Sequence, residues 1–213
     1  MIVTDTNSPD KDLKIIKEIL KSSEVKNKVI SINLKEFKDK IKDGYSKAKF
    51  SNMANFYNSL LIAKNEKADL IYFVEDDYLH KKESLKEMIF TYERISSQLN
   101  KDIIICPADY PYLYAKSDIT QNFLGQNYHW RKVNETLCTF LTSRKMVEKY
   151  WDKYLSMCKK EHAPFEKPLH EIYEKELCIS PIPSLAVHFT NINSIFGLSP
   201  NVDWEKIWKE NEN

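Results

Sequence analysis

The sequence predicts one α/β domain over residues 1–213, with a mostly parallel sheet flanked by helices and a small antiparallel portion in the second half. In the first half, strand-like apolar runs alternate with amphipathic helical segments, which favours parallel strands joined by helices. In the second half, two strand-length alternating runs lie close together, which is typical of antiparallel strands. A chain of 213 residues with 42% hydrophobic residues is large enough to bury one core.

The first half supplies strands and helices in strict order. A short apolar start is followed by a segment in which Leu13, Ile16 and Leu20 recur at helical spacing, and this predicts the first helix. A later segment places Phe56 and Leu60 along one helical stripe. The predicted strands are 2–4, 28–34, 68–74 and 102–110, and the predicted helices are 11–23, 52–65 and 82–99.

The second half lacks this regular alternation. The stretch YHWRKVNETLCTFLTS (128–143) reads as two strands that are antiparallel or at a sheet edge. Ser143 is a suitable N-terminal cap for the helix that follows. The stretch SPIPSLAVHF (180–189) is too rich in proline to begin as regular structure, so only its end is predicted to be a strand. Helices are predicted at 143–160, 167–177 and 201–213.

Composition excludes several classes of protein. The net charge of +1 gives no overall basicity of the kind that indicates nucleic-acid binding. The 4 cysteines are far apart and form no CxxC pair, which favours reduced thiols in a cytosolic protein. No apolar run has membrane-spanning length, and no signal peptide is recognised. With only 3 glycines the chain has no glycine-rich phosphate loop, so any phosphate must be bound by a metal, side chains or helix N-termini.

An acidic triplet follows one of the buried strands directly. The run ADLIYFV ends in Glu75, Asp76 and Asp77, which places three carboxylates at the carboxyl edge of the predicted sheet. Oxygen ligands at this density suit Mg²⁺ or Mn²⁺, with phosphate supplying further ligands. The alternative is that Asp76 and Asp77 cap the next helix while Glu75 pairs with a lysine, because aspartate is a preferred cap. The position at the end of a buried strand favours the metal.

Three further stretches accompany this strand, triplet and helix: IVTDTNSPDKDLKIIKEIL, WRKVNETLCTFLTSRKMVEKY and SPIPSLAVHF. The segment of strand, acidic triplet and helix, together with these three stretches, resembles GT-A glycosyltransferases of the inverting, family-2-like kind. Asp5, Ser8 and Asp10 match a segment of that family, and His188 stands where many of its members place a metal ligand. The resemblance runs from residue 2 to about residue 204.

The resemblance implies an enzyme that transfers a sugar from a nucleotide-diphosphate sugar to a hydroxyl of a carbohydrate or lipid-linked acceptor, with Mn²⁺ or Mg²⁺ bound. It implies that Asp77 and His188 bind the metal, and that Glu75, Asp76 and Asp5 bind the sugar nucleotide. Residues 1–110 would form the nucleotide-binding part, and residues 111–213 the acceptor part with the C-terminal tail. For His188 the alternative is a core histidine, and for Asp5 a turn aspartate.

An inverting transfer also needs a general base for the acceptor hydroxyl. The family places an acid near the start of a helix after the acceptor-side strands, so Glu166 and Glu171 are the candidates, and Glu166 is preferred because it precedes the helix. The alternative is that both are solvated surface glutamates. Trp130 and Arg131 are candidates for the acceptor site, and the alternative for Trp130 is a core residue.

The chain departs from the family at its start, because it begins with what resembles the second strand. The sheet is therefore expected to have an exposed edge beside residues 2–4, which would favour self-association into a homo-oligomer. The leading hypothesis is an enzyme of bacterial surface polysaccharide or glycolipid synthesis, cytoplasmic or at the inner face of the membrane. A second hypothesis is a degenerate GT-A domain that binds sugar nucleotides or serves assembly without catalysis. A third is an unrelated Mg²⁺-dependent phosphotransfer enzyme.

Overall fold

The computed structural model describes residues 1–115, 117–189 and 192–212. The strands within them are β1 (Ile2–Asp5), β2 (Lys28–Ser31), β3 (Leu70–Phe73), β4 (Tyr78–His80), β5 (Ile104–Ile105), β6 (Asn122–Leu124), β7 (His129–Lys132), β8 (Phe140–Ser143), β9 (Cys178–Ile182) and β10 (Ala186–His188). The helices are α1 (Asp10–Ser22), α2 (Lys47–Asn65), α3 (Ser84–Leu99), α4 (Arg144–Lys149), α5 (Trp151–Lys159), α6 (Lys167–Tyr173) and α7 (Trp204–Asn211).

The chain forms two compact units. The first contains Met1–Lys67 and Tyr150–Phe165, and the second contains Ala68–Lys149 and Glu166–Asn213. The division falls inside the single helix predicted over 143–160, which is broken at Tyr150 into α4 and α5. Ser143 caps the first of these as predicted, because its hydroxyl accepts the backbone N–H of Met146 at 3.0 Å. No helix in the described ranges is both long and apolar enough to cross a membrane.

The first unit places a parallel two-stranded sheet beside helices. β1 pairs with β2 along one edge, from Ile2 opposite Lys28 to Asp5 opposite Ser31. Helices α2 and α5 pack together, and the fully buried Leu60 of α2 lies in the apolar core of this unit. The alternation of strand and helix in this part of the chain therefore produces the parallel pairing that the sequence predicts.

The second unit has a six-stranded sheet in the order β3-β8-β5-β9-β7-β6. A mostly parallel sheet is not confirmed here, because β5–β9 is the one parallel pair among the five described. After α3, β5 runs parallel to β3 but is not its direct neighbour in the sheet. β8 enters between them and runs antiparallel to both. The carboxyl ends of β3 and β5 thus still meet at one edge of the sheet.

β9 corrects the expectation for the proline-rich stretch, because it includes Pro181. Pro181 lies opposite Trp130 of β7. The backbone N–H of Val133 donates to the carbonyl of Cys178, so Pro181 occupies the alternate position, which exchanges no hydrogen bonds with β7. β5 pairs only with Cys178 and Ile179, so the missing N–H of Pro181 leaves no gap on that side either.

β4 and β10 form a separate antiparallel ribbon in the second unit. His188 lies directly opposite Tyr78, and Ala186 lies opposite His80. The core of this unit is formed by residues such as Met88, Ile105 and Leu141, all almost completely buried. The four cysteines are buried and free of disulfide bonds.

Candidate active site

The acidic triplet occupies the connection between β3 and β4. Glu75 and Asp77 are partly buried, and Asp76 is exposed. The alternative of helix capping is wrong, because the next helix, α3, begins only at Ser84 and β4 lies between. The triplet thus leaves the carboxyl end of β3, as predicted from the apolar run before it.

Asp77 and His188 come together at the end of the β4–β10 ribbon. The Nε2 atom of His188 lies 3.1 Å from Oδ2 of Asp77. The backbone N–H of Phe189 also donates to the carbonyl of Asp77, at 2.9 Å. The ring of His188 packs on that of Tyr78, with centroids 5.0 Å apart, and the hydroxyl of Tyr78 lies 2.6 Å from that of Tyr110. The sequence-predicted pair is therefore adjacent in space.

The second ring nitrogen of His188 is also engaged. Its Nδ1 atom lies 2.9 Å from the carbonyl oxygen of Phe196. Burial lowers the pKa of His188, but the hydrogen bonds to Asp77 and to the Phe196 carbonyl outweigh it, and the net shift is upward. An imidazolium donates to both oxygens. In a neutral ring, Nδ1 keeps its proton for the carbonyl, and Nε2 is left with a lone pair facing the acidic triplet.

Glu75 is the most strongly perturbed acid of the site. Burial raises its pKa to about 7, and the neighbouring charges of Asp77 and Glu166 raise it as well. His188 and the backbone N–H of Cys138 act in the opposite direction. A carboxyl group with a pKa near 7 exchanges its proton readily at neutral pH, a property that is enriched at functional sites.

Glu166 lies at the N-terminal end of α6, as predicted, and it makes no capping hydrogen bond with its side chain. Burial raises its pKa, and the charges of His170 and His188 partly offset the increase. Glu171 lies further along α6, and it is not among the groups that chiefly shift the pKa of Glu75. Electrostatic coupling thus connects Glu166 with both Glu75 and His188.

Asp5 belongs to the first unit, where it ends β1. Its Oδ1 atom accepts the backbone N–H of Ser8, three residues further on, at 3.1 Å, so Asp5 stabilises the turn before α1. A polar network lies nearby: Asn7 donates to Ser51 at 2.8 Å, and Ser51 donates to Thr6 at 2.6 Å. The role of Asp5 with a nucleobase stays a prediction.

Asp77 and His188 of the second unit are the two residues that could serve as neighbouring ligands of a small divalent cation. Two neighbouring ligands of an octahedral ion with bonds of about 2.1 Å lie about 3 Å apart, which matches the 3.1 Å between His188 and Asp77. Metal-binding histidines commonly donate their other ring N–H to a carbonyl, the role that Phe196 can fill. Among the described residues no group of three or more His, Cys, Asp or Glu side chains is arranged as a metal site. An ion at this position would take its remaining ligands from water or phosphate.

Two residues suggested for the acceptor site are engaged elsewhere. Trp130 is completely buried, so stacking of a sugar on its ring is wrong and the core alternative holds. Arg131 forms an ion pair with the buried Asp109, and its guanidinium lies 4.5 Å from the ring centroid of Tyr114.

Sequence reasoning missed the groups that surround the acids and His188, namely Thr139, Tyr78, Tyr110 and Phe196. Thr139 is fully buried and hydrogen-bonds Glu75 from 64 positions away. No local pattern signals a partner at such a distance. β8 gives no such signal either, because all four of its residues are buried and show no alternation.

No protein-family model matches this chain, and no curated protein matches it.

Proposed function

We propose that this protein is a metal-dependent, GT-A-like glycosyltransferase that transfers a sugar from a nucleotide-diphosphate sugar to a hydroxyl of a carbohydrate or lipid-linked acceptor. The main support is the meeting of Asp77 and His188 at 3.1 Å, at the end of the strand ribbon that follows the acidic triplet. The perturbed acids Glu75 and Glu166 couple electrostatically to this pair. Such clusters of shifted pKa values are typical of catalytic sites.

In this proposal Asp77 and His188 hold Mn²⁺ or Mg²⁺ beside the diphosphate of the donor. In a neutral His188 the carbonyl of Phe196 favours the tautomer with the proton on Nδ1, so Nε2 would carry the lone pair that a cation needs. A cation held by Asp77 and His188 would supply positive charge that stabilises a diphosphate leaving group. Glu75 and Asp76 of the second unit would bind the donor.

Glu166 acts as the general base in this proposal. It accepts the proton of the acceptor hydroxyl as that oxygen attacks the sugar carbon. Burial raises the pKa of its carboxyl, which makes the carboxylate a stronger base at neutral pH than a solvated glutamate. Glu166→Gln keeps the size of the side chain and removes the base, so transfer should fall by at least about 100-fold while nucleotide binding persists.

Calorimetry tests the binding part of the proposal. UDP and GDP are titrated into the protein with Mn²⁺ or with a chelator, and one of them should bind at least about 10-fold more tightly with Mn²⁺. Asp77→Asn should abolish this difference, because it removes the charge that the cation needs. Asp118→Asn is the matched control, since Asp118 is exposed in the same unit.

Equal affinity with Mn²⁺ and with chelator, for both nucleotides, would refute the metal role. Release of sugar from UDP- and GDP-sugars is then measured with Mn²⁺ for the wild type and for Glu166→Gln. Metal-dependent binding without release or transfer of sugar would support the non-catalytic binding module instead.

A further inference from the structure

Thr139 lies where the strand order of the sheet brings β8 next to the acidic triplet. In the β3–β8 register Phe73 is opposite Phe140, so Thr139 lies opposite Val74, directly beside Glu75. Thr139 is fully buried, whereas Val74 is half-exposed. The Thr139 side chain is therefore fixed on the inner side of the turn that carries the acids.

The hydroxyl of Thr139 contacts Glu75 twice. It accepts the backbone N–H of Glu75 at 3.0 Å. It also donates to Oε2 of the Glu75 carboxylate, at 3.4 Å. The preceding residue adds a third contact, because the backbone N–H of Cys138 donates to the same carboxylate. One dipeptide thus binds both the main chain and the side chain of Glu75.

These contacts oppose the charges around Glu75. Asp77 and Glu166 are both acids, and their negative charge repels an ionised Glu75. A glutamate side chain has several rotatable bonds, so without fixed donors it would turn away from its acidic neighbours. Neutral donors from Cys138 and Thr139 hold the carboxylate in place without adding a cation that would compete with a metal.

We infer that Thr139 is a positioning residue that fixes the backbone and carboxylate of Glu75 for donor binding; its role toward the donor rests on the proposed function, whereas its role toward Glu75 does not. Thr139→Val replaces the hydroxyl with a methyl group of similar size and removes both bonds. Thr139→Ser keeps the hydroxyl. Thr142→Val is the matched control, because Thr142 lies three residues further along, in β8, and is equally buried, but it donates to the carbonyl of Ile103.

Amide hydrogen exchange measured by NMR reports the position of Glu75 directly. In Thr139→Val the Glu75 amide should exchange at least about 10-fold faster relative to the Lys81 amide, which donates to the carbonyl of Leu185 and serves as an internal reference. The ratio should be unchanged in Thr139→Ser and in Thr142→Val. Unchanged protection of Glu75 in Thr139→Val would overturn the inference, whether or not the protein binds nucleotides.

Calorimetry with Mn²⁺ and UDP or GDP then measures the effect on the donor site. Thr139→Val should weaken Mn²⁺-dependent binding by about 10-fold, the lower end of the effect of removing groups that orient metal-site residues, and Thr139→Ser should restore it. Unchanged affinity in Thr139→Val, with normal metal-dependent binding in the wild type, would overturn the role toward the donor. Absence of metal-dependent binding in the wild type would overturn the proposed function, and with it the role of Thr139 toward the donor. The amide exchange ratio would still decide whether Thr139 positions Glu75.

Discussion

Replacing Glu75 with glutamine should stabilise the protein at alkaline pH and leave its stability almost unchanged near pH 4.5. Burial and the neighbouring acids raise the pKa of Glu75 from 4.5 to about 7 in the folded state. Between these values the folded protein holds the proton more tightly than the unfolded chain does. The free energy of unfolding therefore falls as the pH rises from about 4.5 to 7, and this loss is complete above about pH 8.

The magnitude follows from the size of the shift. One pKa unit corresponds to about 1.4 kcal/mol, so the rise from 4.5 to about 7 corresponds to a loss of about 3 kcal/mol at pH 8. Glutamine carries no charge and avoids this loss. The amide oxygen of glutamine can still accept from Thr139, so the local contacts are largely kept.

Urea unfolding followed by circular dichroism measures this difference at pH 4.5, 6 and 8 in metal-free buffer. The difference in unfolding free energy between Glu75→Gln and the wild type should grow by about 3 kcal/mol from the lowest to the highest pH. Asp118→Asn is the control, since Asp118 is an exposed acid of the same unit. A difference that does not change with pH, or that decreases, would refute the assigned environment of Glu75.

Three further predictions concern the stability of the fold and are checked by urea unfolding at pH 7. Gly125→Ala should lower the free energy of unfolding by about 3 kcal/mol, because the added Cβ would lie 2.4 Å from buried atoms of Thr91 and Trp130. Gly44→Ala should lower it by only about 1 kcal/mol, because nothing lies within 4 Å and only the φ of +83° is unfavourable. Equal losses in the two variants would contradict the steric origin. Arg131→Met should cost about 3–5 kcal/mol, because it leaves the carboxylate of its partner buried without the cation, and a loss under about 1 kcal/mol would contradict this. Ser143→Ala should cost about 1 kcal/mol through loss of the helix cap, and no loss would show that the cap is energetically unimportant.

The sequence by itself determined several of the helices and the position of the acids. Apolar periodicity indicates which residues face a core, so helices such as α1, α3 and α7 lie where the pattern predicts them. A buried strand that runs into an acidic triplet has to end before the triplet, because ionised carboxylates are costly to bury inside the sheet. Glu75 and Asp77 therefore lie at the carboxyl end of β3, and His188 lies at the end of a short strand, as predicted.

Only the tertiary structure decided which elements become neighbours and in which direction they run. Apolar runs indicate which strands are buried but not which strands pair, so the position of β8 between β3 and β5 could not be predicted from the sequence. That position places Thr139 beside Glu75, across 64 positions. The packing of β7 in the same sheet places Trp130 in the core and not at an acceptor site. The contact between Asp77 and His188 likewise joins residues 111 positions apart. The sequence suggested this contact only through a family resemblance, because long-range pairings depend on the packing of the whole unit and not on local periodicity.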